Sequence, residues 1–375
     1  MVALASRAWS ATHCAAGTPD AVDRRGFGAE VQGVVAAEDS DSPDPAAVIA
    51  AFRLQVPVTA YAAVGGAWSN RVYRLDAGKR RYALKELRNP WADSRWQRWL
   101  AESWSFEQRA IAAGVAAPQP VPNPVDGSCF TWVSRRDPLL PLTAVRVHHW
   151  VQGDPVGPGP VEPELAQWAG QVLANLHGLR IRPQDRTMFP VPNTDTASRW
   201  TELTDAAEWS GAACARLLRA AAPAVSQIAE LVRTAGYLPD QEVMTHGDID
   251  QKNLIASAPG PVLCDWDLAV PLVPRRELAD VALSLACWDD TRIAREVVRA
   301  YRRAGGDDTP FDPSDLGQSL MTGLDWIAFN VERATGLRPA TLAEMALAHE
   351  LAPQLLAAIP NRVSVALRIT DVLRM

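Results

Sequence analysis

Residues 243–269 read VMTHGDIDQKNLIASAPGPVLCDWDLA, and this stretch decides how the fold of the chain is interpreted. An apolar run leads into the tripeptide HGD, which ends at Asp248, and Asn253 follows five residues later. Two short apolar runs flank residues 258–261, where Pro and Gly favour a turn. The pattern predicts a β-hairpin that brings Asn253 close to Asp265, twelve residues further along the chain.

Asp248, Asn253 and Asp265 are the residue types that a phosphoryl-transfer site needs. A hydroxyl that attacks a phosphoryl group must pass on its proton, and the Asp248 carboxylate can accept it. Magnesium prefers oxygen ligands, usually one or two carboxylates together with phosphates, so Asn253 and Asp265 are candidate metal ligands. Asp267 is either a further metal ligand or an organiser of the loop. Purely loop-stabilising roles explain each residue singly, but their combined spacing favours catalysis.

The motifs HGDIDQKN and CDWD resemble the catalytic core of the aminoglycoside phosphotransferase and choline kinase superfamily. That family carries HGDxxxxN followed by a DxD-like pair, where protein kinases carry HRDxxxxN and DFG. One departure is Asp250, where the family often has His. The resemblance implies an α+β, protein-kinase-like bilobal fold, with a small antiparallel sheet lobe containing one helix and a larger, mostly α-helical lobe. It also implies ATP and Mg²⁺ as cofactors, with GTP an open alternative to ATP.

Residues 55–87 predict three strands, at 58–64, 71–75 and 81–87. The turn GGAWSN between the first two matches the position of the family's nucleotide loop, where backbone N–H groups contact phosphates. Its candidate residues are Gly65, Gly66, Ser69 and Asn70. Lys85, inside the largely apolar third strand, resembles the β3 lysine that contacts the α- and β-phosphates.

A helix predicted over residues 94–113 should hold the glutamate that pairs with Lys85. Glu102 and Glu107 are both candidates, and their spacing puts them about 140° apart on the helix surface, so only one should face Lys85. Glu102 is slightly favoured by its distance along the chain. A strand predicted at 145–151 corresponds, by resemblance, to the interlobe hinge, where the backbone of His149, Trp150 and Val151 would bind the adenine.

Composition divides the chain unevenly. Residues 1–44 are rich in Ala, Gly, Ser and Asp without periodicity and predict a flexible N-terminal tail. Residues 45–150 are predicted as the nucleotide-binding lobe, and residues 151–375 as the catalytic and acceptor-binding lobe. Apolar periodicity predicts further helices around 45–52, 164–179, 199–237, 277–304 and 313–358.

The net charge of −6 is concentrated in the second part of the sequence. Residues 1–153 contain 17 Lys/Arg and 14 Asp/Glu, whereas residues 154–375 contain 20 and 29. An acidic acceptor lobe favours cationic acceptors such as aminoglycosides or choline-like amines. Mild acidity for solubility explains the same charge equally well.

Other classes of partner are disfavoured by the sequence. The sequence has no basic stripe of the kind that binds nucleic acid. It also has no run of 18 apolar residues, which a membrane span would need. The five cysteines include no CxxC pair, so a zinc site is not expected. The first residues lack the continuous apolar segment of a signal peptide, and these features together predict a cytoplasmic protein.

The sequence therefore predicts an enzyme, a small-molecule kinase that transfers the γ-phosphoryl group of ATP to a hydroxyl. The acceptor stays open among aminoglycosides, choline, homoserine, sugars and other antibiotics. A nucleotide-binding protein that has lost catalysis is a further alternative, which the presence of Lys85, Asp248, Asn253 and Asp265 disfavours. The oligomeric state is not predicted.

Overall fold

The structure, a computed structural model, describes residues 40–64, 70–88, 94–189, 191 and 195–373. Residues 1–39 of the predicted tail lie outside the described residues, as do Gly65, Gly66 and Ser69 of the predicted nucleotide turn. The chain divides into two compact units. The smaller contains the described residues up to Ala101 and Ala117–Gln152, and the larger contains Glu102–Ala116 and the described residues from Gly153 onward.

The smaller unit consists of helix α1 and a six-stranded antiparallel sheet, followed by the start of helix α2. The sheet order is β1-β2-β3-β6-β4, and β5 also pairs with β6. The elements are α1 (Pro45–Phe52), β1 (Val58–Val64), β2 (Arg71–Ala77), β3 (Arg80–Leu87), α2 (Trp96–Ala112), β4 (Pro120–Val121), β5 (Thr131–Val133) and β6 (Thr143–His149).

Helix α1 covers one face of this sheet. The Asp44 side chain accepts a hydrogen bond from the backbone N–H of Ala46, and Pro45 opens the helix, so its start is well defined. The helix buries Val48, Ile49 and Phe52 in the same apolar cluster as Leu84 of β3. Because side chains alternate along a strand, Lys85 lies on the opposite face of the sheet.

Residues 40–44, which the sequence assigns to the tail, belong to the packed part of the smaller unit. Asp41 forms ion pairs with Arg71 at 3.1 Å and with Arg135 at 2.9 Å. Ser42 is buried, and Pro43 forms a β-bridge with Arg135. The described chain is therefore held to the sheet before α1 begins.

The larger unit is mostly helical and contains two small antiparallel sheets, ordered β10-β9-β7 and β11-β8. Its strands are β7 (Gly153–Pro155), β8 (Val243–Thr245), β9 (Leu254–Ser257), β10 (Gly260–Leu263) and β11 (Val270–Leu272). Its further helices are α3 (Pro163–Gly178), α4 (Asp195–Ser198), α5 (Trp200–Trp209), α6 (Ala215–Ala235), α7 (Pro274–Leu285), α8 (Thr291–Arg303), α9 (Gly317–Ala334) and α10 (Leu342–Leu373). None of the described helices is long and apolar enough to cross a membrane.

Two glycines permit close backbone approaches in the larger unit. A Cβ atom on Gly170 of α3 would lie 2.3 Å from the carbonyl oxygen of Val297 in α8. A Cβ atom on Gly153 of β7 would lie 2.4 Å from the carbonyl oxygen of Ala256 in β9. Side chains at these two positions would separate the paired elements.

Most predicted elements are present, with differences at helix and strand ends. The hairpin predicted before Asp265 is confirmed, since β9 and β10 pair from Leu254 with Leu263 to Ser257 with Gly260. The strand predicted at 145–151 ends at His149. The region 277–304 is mainly helical, as predicted, and contains two helices, because Cys287 and Trp288 adopt left-handed backbone conformations, with φ of 51° and 59°, after the first.

Candidate active site

His246 connects the HGD segment to the strand before the second acidic motif. The strand β8 is buried and leads into His246, whose side chain is fully buried. Its Nε2 donates to the carbonyl oxygen of Cys264 at 2.8 Å, and its Nδ1 accepts from the backbone N–H of Asp248 at 3.3 Å. One donor and one acceptor suit the neutral ring, and burial lowers the pKa of His246 below its usual value.

We expect His246 to make the free energy of unfolding depend on pH. Because the folded protein lowers its pKa, only the unfolded chain binds a proton readily below about pH 6.5. The free energy of unfolding should therefore decrease as the pH falls from about 6.5 to 5. In His246→Gln this contribution is removed. The plot of the free energy of unfolding against pH should therefore be shallower by up to about 1.4 kcal/mol per pH unit. Urea denaturation of both proteins at several pH values measures the slopes, and equal slopes would contradict the assignment.

A buried chain of hydrogen bonds holds the backbone of Gly247, which has φ of 80°. Its N–H donates to Glu277 Oε1 at 3.0 Å, and Glu277 Oε2 lies 2.8 Å from His177 Nε2. His177 Nδ1 in turn lies 2.8 Å from the hydroxyl of Tyr301. We call Glu277, His177 and Tyr301 the Gly247 anchor. It joins helices α7, α3 and α8 to the loop that carries Asp248.

The structure brings Asp248 and Asn253 together. Asp248 is 4% exposed, and its Oδ2 accepts a hydrogen bond from Asn253 Nδ2 at 2.9 Å. The same Nδ2 donates to the backbone oxygen of Asp248 at 2.7 Å. Since the amide nitrogen of Asn253 is used by these two contacts, its Oδ1 is the atom left for a metal ion.

Lys252, which lies inside the motif HGDIDQKN but is not among the residues predicted for the site, also contacts Asp248. Its Nζ donates to Asp248 Oδ1 at 3.0 Å and to Asp250 Oδ2 at 2.5 Å. Burial raises the pKa of Asp250 to about 7. Burial acts to lower the pKa of Lys252, but the two carboxylates outweigh it and raise that pKa. The ammonium therefore stays charged between two buried carboxyl groups.

Asp265 lies two residues after the end of β10 and has an unusual backbone conformation. Its φ of 63° and ψ of 56° lie in the left-handed region. Non-glycine residues seldom adopt this conformation, and those that do are frequently found at functional sites. The next residue, Trp266, is buried against Phe106 of α2 and against the His246 ring, and its Nε1 donates to the Leu263 carbonyl at 2.9 Å. This packing holds the turn that presents Asp265.

Asp267 is held on its backbone side by α2. Ser103 of this helix donates to the carbonyl oxygens of Asp267 at 3.3 Å and Ala269 at 3.2 Å. Within the described ranges, no three His, Cys, Asp or Glu side chains form a metal-binding group. A metal site here would depend on the Asn253 amide oxygen, the Asp265 carboxylate and substrate phosphates, and this hard oxygen donor set fits Mg²⁺.

The candidate nucleotide residues of the smaller unit have different surroundings. Asn70 Oδ1 accepts from the backbone N–H of Arg88 at 3.1 Å, so this side chain ties the start of β2 to the end of β3. The backbone N–H of His149 donates to the Gln119 carbonyl at 2.8 Å, and that of Trp150 donates to the Arg81 carbonyl at 2.9 Å. Within the described part of the chain, the backbone N–H of Val151, the third predicted hinge residue, has no backbone acceptor.

The two glutamate candidates of α2 lie in the larger unit. Glu102 Oε1 accepts from the backbone N–H of Gln184 at 3.2 Å, and burial raises its pKa above the usual value. Glu107 is fully buried. Which of the two pairs with Lys85 stays a prediction.

The Asp248 carboxylate, the Asn253 amide and the Lys252 ammonium around the β9–β10 hairpin define a phosphotransferase of the kinase-like class. The comparisons with known proteins support this class. The family model described as the phosphotransferase enzyme family (APH) matches residues 60–312, more than half of the chain. The chain therefore belongs to this family. The resemblance seen in HGDIDQKN and CDWD is confirmed, and the protein is a small-molecule kinase with an α+β, protein-kinase-like fold. A comparison with curated proteins finds no match.

Solved structures share the fold at low sequence identity. A spectinomycin phosphotransferase in complex with ADP and spectinomycin has a TM-score of 0.55 and 12% identity, over 84% of this chain and 94% of that one. A microcompartment-associated aminopropanol kinase has a TM-score of 0.57 and 16% identity, over 85% and 97%. An amicoumacin kinase in complex with AMP-PNP and Ca²⁺ has a TM-score of 0.56 and 13% identity, over 83% and 90%.

Proposed function

We propose that this kinase transfers the γ-phosphoryl group of ATP to a hydroxyl of a small molecule, with Asp248 as the group that orients the hydroxyl and accepts its proton. The observation that carries the proposal is the pairing of Asp248 with Asn253 at 2.9 Å, next to a hairpin whose second strand ends at Leu263, two residues before Asp265. Phosphoryl transfer depends mainly on positioning and charge neutralisation, so a short set of residues is chemically sufficient.

Each residue has a separate task in this proposal. Asn253 Oδ1 and the Asp265 carboxylate would hold Mg²⁺, which neutralises phosphate charge when bound. Asp267 is a further ligand or a brace for the turn. Lys85, paired with Glu102 or Glu107, would contact the α- and β-phosphates, and the Val151 N–H would bind the base. Gly65, Gly66 and Ser69 remain proposed phosphate contacts of the turn before β2.

The charge of the chain supports a cationic acceptor. The part from residue 154 onward contains nine more acidic than basic residues. A cationic acceptor would be attracted to such a surface at low ionic strength. We propose aminoglycosides and other amino alcohols as the first acceptor class to test. We also propose a cytoplasmic location, where ATP and Mg²⁺ are available. A protein that binds ATP without catalysis is the competing explanation.

The test is ATP turnover with a panel of acceptors. Aminoglycosides, spectinomycin, choline, homoserine, amino alcohols and neutral sugars are each incubated with ATP and Mg²⁺, and ADP release and the phosphorylated product are followed together. We expect turnover with at least one hydroxylated amine. Thermal stabilisation by ATP without turnover on any acceptor would favour the non-catalytic binding protein.

Lys85→Met should separate nucleotide binding from the rest of the site. We expect the KM for ATP to rise at least about tenfold, since a phosphate-contacting cation is lost while the apolar face of β3 is unchanged. Lys79→Met is the matched control, because Lys79 is exposed in the turn between β2 and β3. Steady-state kinetics on the same acceptor compare the two. An unchanged KM for ATP in Lys85→Met would remove Lys85 from the phosphate site.

A further inference from the structure

Lysine is rare in this chain. Of the 37 Lys and Arg residues, only Lys79, Lys85 and Lys252 are lysines. Arginine presents a rigid planar fork, whereas the lysine ammonium is a compact charge whose three donors can serve several oxygens at once. The compact ammonium of Lys252 lies between two carboxylates, where its donors can serve an oxygen of each.

The geometry around Lys252 shows what that task can be. Its Nζ bridges Asp248 Oδ1 and Asp250 Oδ2, at 3.0 and 2.5 Å. Both carboxylates are nearly completely buried, at 4% and 3% exposed, while the Lys252 side chain is 20% exposed. Asn253 holds the other oxygen of Asp248 at 2.9 Å. The carboxylate of Asp248 is therefore fixed through both of its oxygens.

Burying the Asp250 carboxylate costs free energy unless this group pairs with the Lys252 ammonium. Its Oδ1 has no hydrogen-bond partner in the described part of the chain, and the hydrogen bond of its other oxygen is with Lys252. A buried carboxylate with an unsatisfied oxygen is destabilising unless it is paired with a cation. The raised pKa of Asp250 reflects the same burial. The side chain of Asp250 thus acts on the loop through Lys252.

We propose that Lys252 is a positioning residue for phosphoryl transfer and that Asp250 is its anchor. This inference rests on the kinase function proposed above. Lys252 holds Asp248 in the orientation in which its carboxylate meets the acceptor hydroxyl, and Asp250 keeps the ammonium in place. A displacement of about 1 Å in a reacting group can lower a rate about 100-fold, so the loss of this contact should be visible in the turnover number.

Lys252→Met tests the proposal through a split between kcat and KM. We expect kcat to fall about 10- to 100-fold while the KM for ATP stays within about threefold, because the contact is with Asp248 and not with the nucleotide. Lys79→Met should keep the wild-type kcat. A Lys252→Met protein that keeps more than about half of the wild-type kcat would overturn the proposal.

A double-mutant cycle shows whether Lys252 acts through Asp248. In an Asp248→Asn background the carboxylate is absent, so adding Lys252→Met should change kcat by less than about threefold. If the two substitutions instead lower kcat independently, so that their effects multiply, Lys252 acts elsewhere and the proposal is wrong.

Lys252→Met leaves two buried carboxylates without a cation, so a variant that protects the fold is needed. The combined variant Lys252→Met with Asp250→Asn removes one of those carboxylates, and its melting temperature is measured beside its kinetics. We expect the same 10- to 100-fold loss of kcat, and near-wild-type kcat in the folded variant would overturn the proposal.

If the wild-type protein transfers no phosphoryl group and hydrolyses no ATP, the proposed function fails and this inference with it. An active wild type with an equally active Lys252→Met rejects this inference alone.

Discussion

Asp265→Ala should reduce Mg²⁺-dependent turnover by about 100-fold or more. The Asp265 carboxylate lies two residues after the end of β10 and is the strongest Mg²⁺ ligand proposed beside the Asn253 amide oxygen. Removal of one strong electrostatic contact typically costs about two or more decades in rate. Turnover is measured over a range of Mg²⁺ concentrations with one acceptor. A folded variant that keeps more than about a tenth of the wild-type rate would contradict the metal assignment.

The left-handed backbone of Asp265 sets the control for this experiment. Alanine tolerates φ of 63° less well than Asp or Asn, so Asp265→Ala should also lose about 1–2 kcal/mol of stability. Asp265→Asn keeps the conformational tolerance and removes the charge, and it should lose activity with little change in melting temperature. Asp289→Ala, at an exposed position of the same unit, should change neither the activity nor the melting temperature.

Asp248→Asn should lower kcat by about 10²- to 10⁴-fold, the usual value of a general base, while ATP affinity changes little. The substitution keeps the size of the side chain, but the new amide has only one acceptor oxygen for the donors of Lys252 and Asn253. One contact is therefore lost together with the basic group. Turnover is followed by ADP release and ATP binding by calorimetry, on the same preparation.

Asp240→Asn is the matched control for Asp248→Asn. Asp240 is exposed and lies in the same unit, so the identical chemical change should leave kcat unchanged. Normal turnover in Asp248→Asn would remove this residue from the mechanism. Loss of ATP binding instead of turnover would place it with the metal ligands and leave the proton acceptor unidentified.

The hairpin at the site could be predicted from sequence because its signals are local. The Pro-Gly turn, the two apolar runs and the acidic residues at either end all lie within 27 residues. Helix α1 was predictable for the same reason, since Asp44 and Pro45 mark its start. The break between α7 and α8 was less accessible, because it depends on the left-handed conformations of Cys287 and Trp288, two residue types that give little warning of a helix end.

The Gly247 anchor could not be predicted because its contacts are distant along the chain. His177 lies 100 positions from Glu277 and 124 from Tyr301, and no pattern in the sequence relates them. Lys252 is different. It stands between two acidic residues and Asn253 and is one of three lysines, so the sequence itself contains a signal for this residue.

The Gly247 anchor divides the helices of the larger unit into those that hold the loop of Asp248 and those that do not. The loop that carries Asp248 is tied to α3, α7 and α8 through His177, Glu277 and Tyr301. Helices α5, α6, α9 and α10 contribute no side chain to this chain of hydrogen bonds. Substitutions on these four helices therefore leave all three side chains of the anchor in place, and with them the hydrogen bond that holds the Gly247 backbone.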